Sequence, residues 1–439
     1  MPDSPHAAAA LTGAAAEEQR VAPRQLLRSP AQVFESLARC GDMVWVVCGK
    51  HRFLVVNHPE LVRELLIDRA AELVKHSQLI EAGGRPATLG VYGGGIPVPR
   101  FRAALARGLA PSRIPDALEA ATAAAGAEVE GWRDGMSLPL MLSMRRVAAA
   151  ASCRTSFGSS LSPTELARAE RAIAWADLQA RVSSRATRGL EELRLWGLRR
   201  RLANARLNTL GSSLIENADR GQVTQLTAVM DDLPSFHVSA TREEQNAIVG
   251  ELFQGAAAPL AQTAAWALVR LAGEKEAATI VRAEWEALPE SEAIDRSTLG
   301  ELSYTKAFVR EVTRLHPTNA RIVRVATTAT SLGGEVVPAG CRVVVNVVAI
   351  HGDPRFYDSA QTFRPERWLR EGPTSHKFAY LAFGRGGRRC LGENVAQFSL
   401  MTLLPTLARN WDFGFDRIQL ASGGRIQPSE RTRVTLRAR

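Results

Sequence analysis

The chain has 439 residues, 46% of them apolar, and a formal charge of +10 from 55 Lys and Arg against 45 Asp and Glu. That apolar share suffices for a large core, no run of about 18 apolar residues marks a membrane span, and nothing resembles a cleaved signal, so a soluble, cytoplasmic protein is expected. Cys40, Cys48, Cys153 and Cys341 lack disulfide or zinc spacings and are expected as reduced packing thiols, and the basic charge comes with no nucleic-acid motif or aromatic stacking platform.

In chain order, residues 1–19, rich in Ala with Pro and Ser, are expected as a disordered tail. The run from Leu54 to Leu66 reads as strand, turn and helix, with Asn57-His58-Pro59 as the turn. A glycine-loaded stretch, Ser77 to Pro97, follows. Arg194 to Arg206, which holds Arg199-Arg200-Arg201, reads as a solvated helix face. Glu243 to Leu271 is a long helical stretch interrupted by Pro259, which removes a helix hydrogen bond and turns carbonyls such as that of Gly255 toward a water or ligand. Glu311 and Arg314, at i and i+3, share one helix face; alone they read as a solvated ion pair. Pro317 ends that helix. Arg321 to Ala326 and Val343 to Val348 read as strands, and His351-Gly352-Asp353-Pro354 as a turn in which His351 is structural rather than a ligand.

The run Phe383-Gly384-Arg385-Gly386-Gly387-Arg388-Arg389-Cys390-Leu391-Gly392 is the most informative. A lone thiol sits in a glycine-rich, cationic turn where backbone bends sharply or approaches a flat partner, and the arginines favour ionised sulfur. Such a turn holds a thiolate against a metal. The apolar stretch Val395 to Leu404 after it reads as a helix.

The pattern set by Phe383, Gly386, Arg388, Cys390 and Gly392 resembles the proximal haem loop of the cytochrome P450 family, the haem-thiolate monooxygenases. The resemblance implies that Cys390 is the axial iron ligand, that Arg388 reaches a haem propionate, and that Phe383 packs near the sulfur. Ala307 to Pro317 is similar to the family's K helix. It implies a buried structural triad of Glu311, Arg314 and Arg367, the last from Pro365-Glu366-Arg367-Trp368. Arg324 is implied as a second propionate ligand, with Ala320, Ile322 and Val323 lining the substrate pocket. Val98 to Leu109 resembles the C helix, where Arg102 fits a propionate contact; the aromatic or His position is Val98, so that contact is absent or supplied by Lys75, His76 or Arg100.

Glu243 to Leu271 resembles the I helix, whose usual acid and alcohol relay protons. Aligned on Gly255, those positions hold Ala257 and Ala258; aligned on Trp266, they hold Ala258 and Pro259. Both groups are missing in either register. Water, the substrate, Gln254, Gln262 or Thr263 is left to organise the proton supply. Leu252, Phe253, Ala256 and Ala257 are implied as distal lining, and Ser77 to Pro97 and residues 178–210 as mobile substrate-binding regions.

The expected fold is mainly α with a small β region, a single P450 domain over residues 20–439 with haem between the I and L helices. The expected function is monooxygenation of a hydrophobic terpenoid or polyketide-like intermediate of a natural-product pathway. Haem b is the expected cofactor and dioxygen the oxidant, with electrons from a separate ferredoxin and ferredoxin reductase and no nucleic-acid or membrane partner. Two alternatives stand: a non-oxygenative or peroxide-using haem enzyme, and a haem-free helper of the same fold.

Overall fold

The computed structural model describes residues 16–75, 98–183, 205–218, 223–232, 241–288, 298–370, 376–418 and 427–439, together with residues 202 and 221. The expected lid Ser77 to Pro97, His76 and most of Arg194 to Arg206 lie outside the described residues. The architecture is mostly helical with a small sheet region. The described residues divide into two compact units: 16–75, 313–370 and 376–390 form the first, the remainder the second.

The first unit is built on a six-stranded mixed sheet. Its strands are β1 (Glu17–Arg20), β2 (Met43–Cys48), β3 (His51–Val56), β4 (Leu73–Val74), β6 (Arg321–Ala326) and β9 (Arg342–Asn346), in the order β1-β2-β3-β9-β6-β4. β2 and β3 form an antiparallel hairpin with Met43 opposite Val56, and β3 pairs in parallel with β9, Phe53 opposite Arg342. β1 pairs in parallel with β2, Glu17 opposite Val44, so residues 17–19 of the tail predicted over 1–19 are a paired strand. Parallel pairing supplies the backbone partners that composition alone cannot show.

Helices α1 (Pro23–Arg28) and α2 (Pro30–Arg39) each begin on a proline, whose fixed φ and missing donor suit a first helical turn. Val33, Phe34 and Leu37 of α2 pack with Val44, Val46, Val55 and Val344 from the sheet. Burying such side chains contributes about 1.5–3 kcal/mol each. Asn346 Nδ2 donates to Phe34 O at 2.8 Å and to Asn57 Oδ1 at 3.0 Å, tying helix, hairpin and β9 together. Strand β9 ends at Asn346 rather than at the predicted Val348, because Val347–His351 turns into a short helix.

Helix α3 (Pro59–Arg63) is followed by a π-turn over Glu64–Asp68, closed by Arg69 N donating to Glu64 O at 2.8 Å. These match the strand, turn and helix read between Leu54 and Leu66.

The second unit is helical. It contains α4 (Val98–Arg107), α5 (Ile114–Val129), α6 (Leu140–Phe157), α7 (Pro163–Ser183), α8 (Gln225–Asp232), α9 (Arg242–Gly273), α10 (Lys275–Glu286) and α11 (Thr298–Glu301). Next come α12 (Ser303–Leu315), within which the unit boundary falls, then α13 (Val347–His351) of the first unit and α14 (Glu393–Ala408) of the second. α9 opens with a capping box, Thr241 accepting from Glu244 N while the Glu244 carboxylate accepts from Thr241 N. It packs against α6, α7 and α14. A three-stranded sheet, β5 (Ser137–Pro139), β11 (Arg433–Ala438) and β10 (Trp411–Gly414), joins the chain's last strand to residues near the start of α6. Among the described residues no helix is long and apolar enough to cross a membrane.

Candidate active site

Four backbone hydrogen bonds and two glycines shape the thiol loop. Gly384 N donates to Leu381 O at 2.9 Å, Arg389 N to Gly386 O at 3.0 Å, and Cys390 N returns to Phe383 O at 2.8 Å; Ala396 N to Gly392 O, 2.8 Å, then starts α14. Gly384 and Gly386 have φ of 68° and 73°, left-handed values that other residues adopt only under strain. At Gly386 there is no room either: a Cβ would stand 2.4 Å from the carbonyl oxygen of Leu66, in the π-turn. The loop thus rests directly on the π-turn's backbone. Gly392 is the N-cap of α14, which covers the helix read over Val395 to Leu404.

None of the five cysteines is in a disulfide; Cys48 and Cys153 are buried, Cys40 and Cys341 half-buried, and Cys390 exposed. Burial pushes the Cys153 thiol up to about 12, which keeps it unreactive.

Two guanidiniums are held near each other in the same unit. Arg324, on β6, is partly buried, and its pKa is pushed down to about 10, first by burial and then by the like charge of Arg388. Its Nη1 donates to Val323 O at 3.0 Å. Cations concentrated in poor solvent favour an anionic partner. The exposed residue Cys390 and two arginines suited to carboxylates fit a haem, whose iron Cys390 would hold and whose propionates Arg324 and Arg388 would meet. Arg102 stands half-buried on α4 in the second unit, and Val98 is that helix's first residue.

The predicted triad is buried throughout: Glu311 and Arg314 at 0% exposure, Arg367 at 6%. Arg314 Nη1 donates to His351 O at 2.5 Å and Ala360 O at 2.7 Å, and Nη2 to Thr362 O at 3.3 Å. Arg367 donates to Asp358 O at 2.7 Å and Ser359 O at 3.3 Å. Both arginines therefore pin residues 358–362, where backbone oxygens have no strand to pair with. The solvated reading of the Glu311/Arg314 face is excluded by this burial.

On helix α9, Phe253, Ala257 and Ala258 are buried in a core with Cys153, Phe157, Ile173 and Leu214, and the Phe253 ring lies 6.0 Å from that of Phe157. Leu252 packs against the same core. The less buried side carries Gly255, Ala256 and Pro259. Helical periodicity counted from the apolar run Phe253, Ala257, Leu260 is the signal that separates the two sides.

Gln262 and Thr263 are also turned inward, and Thr263 Oγ1 donates to Pro259 O at 2.9 Å. Gln254 is half-buried. On the strand side, Ala320 is buried with its carbonyl accepting from Val347 N at 3.1 Å, Ile322 is half-buried, and Val323 is 39% exposed.

Residues 201–423 match the family described as Cytochrome P450. The chain is 26% identical over 409 residues to cyclooctat-9-en-7-ol 5-monooxygenase of Streptomyces melanosporofaciens, covering 88% of this chain and 85% of that one. It is 24% identical over 437 residues to cyclooctatin synthase of the same organism, covering 93% and 90%. Over a shorter stretch of 167 residues it is 34% identical to the human mitochondrial 25-hydroxyvitamin D-1 alpha hydroxylase, covering 37% and 33%.

Proposed function

Because the chain belongs to the cytochrome P450 family and is an oxidoreductase of the monooxygenase class, we propose that it inserts oxygen into a hydrophobic terpenoid skeleton of a natural-product pathway. The observation that carries this is the exposed position of Cys390 in a loop whose backbone is fixed at Gly384, Gly386 and Phe383. Two relatives matching over most of their length are named for cyclooctatin or a cyclooctatenol, which favours a polycyclic terpenoid over a polyketide.

Haem b, when bound, supplies dioxygen activation, and thiolate ligation favours cleavage of the O–O bond. Cys390 would hold its iron, Arg324 and Arg388 would neutralise its propionates, and Gly386 keeps the loop tight on Leu66. Ile322 and Val323, on β6 of the first unit, give an uncharged surface for an apolar substrate. Electrons come from a ferredoxin and its reductase, steered by the basic loop around Arg385 and Arg389.

Proton supply is where this chain differs from its family. Ala257, Ala258 and Pro259 carry no acid or alcohol, and general acid–base help is typically worth about 10²–10⁴-fold. Pro259 has no N–H, so the Gly255 carbonyl lacks its α-helical donor. It accepts instead from a water or a substrate hydroxyl on the open side, holding the proton source in place. The same missing pair favours a second reading, a haem-thiolate enzyme that rearranges, desaturates or couples its substrate, or uses peroxide.

Turnover with ferredoxin, reductase and isotope-labelled dioxygen tests the choice. Labelled product is expected; product without label overturns the oxygenase reading. The reduced carbon monoxide complex is expected to show the thiolate-type Soret band, and a colourless protein after haem supply overturns both.

A further inference from the structure

We propose that His351 is the positioning residue of the thiolate loop, a neutral imidazole that fastens the loop's first amide to the end of helix α12. The ring is buried, with 1% exposure. Leu381 N donates to Nε2 at 2.8 Å, which makes that nitrogen the acceptor. The proton is therefore on Nδ1, which donates to Arg314 O at 2.7 Å. Both ring nitrogens are used, so His351 is no metal ligand.

The attachment is doubled by its neighbours. Arg314 Nη1 donates back to the carbonyl of His351 at 2.5 Å. Tyr380, just before Leu381, stacks on the imidazole at 5.8 Å and 10°, and its hydroxyl lies 2.7 Å from Thr313 Oγ1. Thr313 and Arg314 of one helical turn thus hold Tyr380 and Leu381, the residues from which the loop starts. Leu381 O then accepts from Gly384 N, and Phe383 O from Cys390 N. The register of the sulfur is set along this path, which begins at the imidazole.

The inference rests on Cys390 being the iron ligand, but its first test needs no haem. Amide hydrogen exchange on the haem-free protein is expected to show Leu381, Gly384 and Cys390 protected together. In His351→Leu, which keeps bulk and loses both polar atoms, these three amides are expected to exchange about tenfold faster or more, as loss of a buried hydrogen bond implies. Phe53 to Val56 in the sheet should keep their rates. His351→Gln, which offers an oxygen near the position of Nε2, is expected to restore protection.

Uniform acceleration across the sheet, no acceleration at all, or failure of Gln to restore what Leu removes overturns the proposal. Should the Leu variant not fold, an unprotected Leu381 amide in the unaltered protein overturns it as well. With haem bound, the thiolate-type carbon monoxide band should weaken in His351→Leu and return in His351→Gln. If exchange changes while the band does not, His351 holds the loop but not the sulfur, and the proposal falls. A normal exchange pattern in a protein that never shows that band would instead count against Cys390 as ligand.

Discussion

The loop from Leu381 to Gly392 and the middle of α9 from Leu252 to Thr263 are both expected to serve one reaction, and they are built by opposite means. In the loop, backbone conformation is over-determined: left-handed glycines, a contact with Leu66 that admits no side chain, and amide bonds that return the chain to Phe383. In α9 a proline removes one hydrogen bond from an otherwise regular helix, and the positions of the missing relay hold two alanines and that proline. Holding a thiolate needs a rigid frame, since a ligand atom must stay where the metal is. Supplying a proton needs only an acceptor and a mobile donor. Side chains can be lost there as long as a carbonyl is left to orient water or substrate.

The largest test of this contrast is Cys390→Ser, which leaves the frame and removes the sulfur: turnover is expected to fall to background and the thiolate-type carbon monoxide band to vanish. Next is Arg314→Ala, which takes the Arg314 donor from the carbonyls of His351 and Ala360 and leaves Thr362 O to Arg367. A loss of about 3 kcal/mol or more in a denaturant titration is expected, since each such buried group costs about 1–3 kcal/mol. Pro259→Ala acts the other way, restoring a donor to Gly255 and stabilising the protein by up to about 3 kcal/mol. Its melting temperature should rise while turnover falls. Threonine at Ala258 or Pro259 should bring no gain in turnover, and a large gain would mean the relay is merely damaged.

Gly386→Ala is expected to cost about 1–2 kcal/mol from the left-handed backbone alone, with faster haem loss caused by the clash with Leu66. The smallest effect is in pH dependence. Arg324 has its pKa lowered to about 10 by burial and by Arg388. The folded protein therefore releases this proton before the unfolded chain does as pH rises. Below about 10 the penalty on the charged group is fully present; above about 10 it is relieved, and haem-free stability gains relative to Arg324→Gln. At neutral pH that variant should be the more stable haem-free protein and the poorer at retaining haem.

The loop was readable because each of its positions is set by a local need: a thiol, a bend or an absent side chain. Strand β6 fell where it was predicted, and α9, α12 and α14 began and ended within about four residues of their predicted bounds. Other features depend on partners far along the chain. Glu17–Arg20 is a strand only because Val44–Val47 lies beside it. Phe253 turned out a core residue because Phe157 faces it, and alignment to a motif says nothing about the far side of a helix. His351 read as structural from its turn, but its use of both nitrogens required Leu381 to be nearby.

The pairing of β3 with β9 has a consequence for synthesis. The bond from Asn346 to Asn57 bridges 289 residues, so the hairpin of β2 and β3 leaves the ribosome long before the strand that covers it. Until Arg342 to Asn346 emerge, the row Phe53-Leu54-Val55-Val56 is an uncovered, apolar edge of the kind that recruits other chains. Prematurely terminated products should accumulate as aggregates, and nascent chains of this protein should depend on holdase chaperones until most of the sequence has been translated.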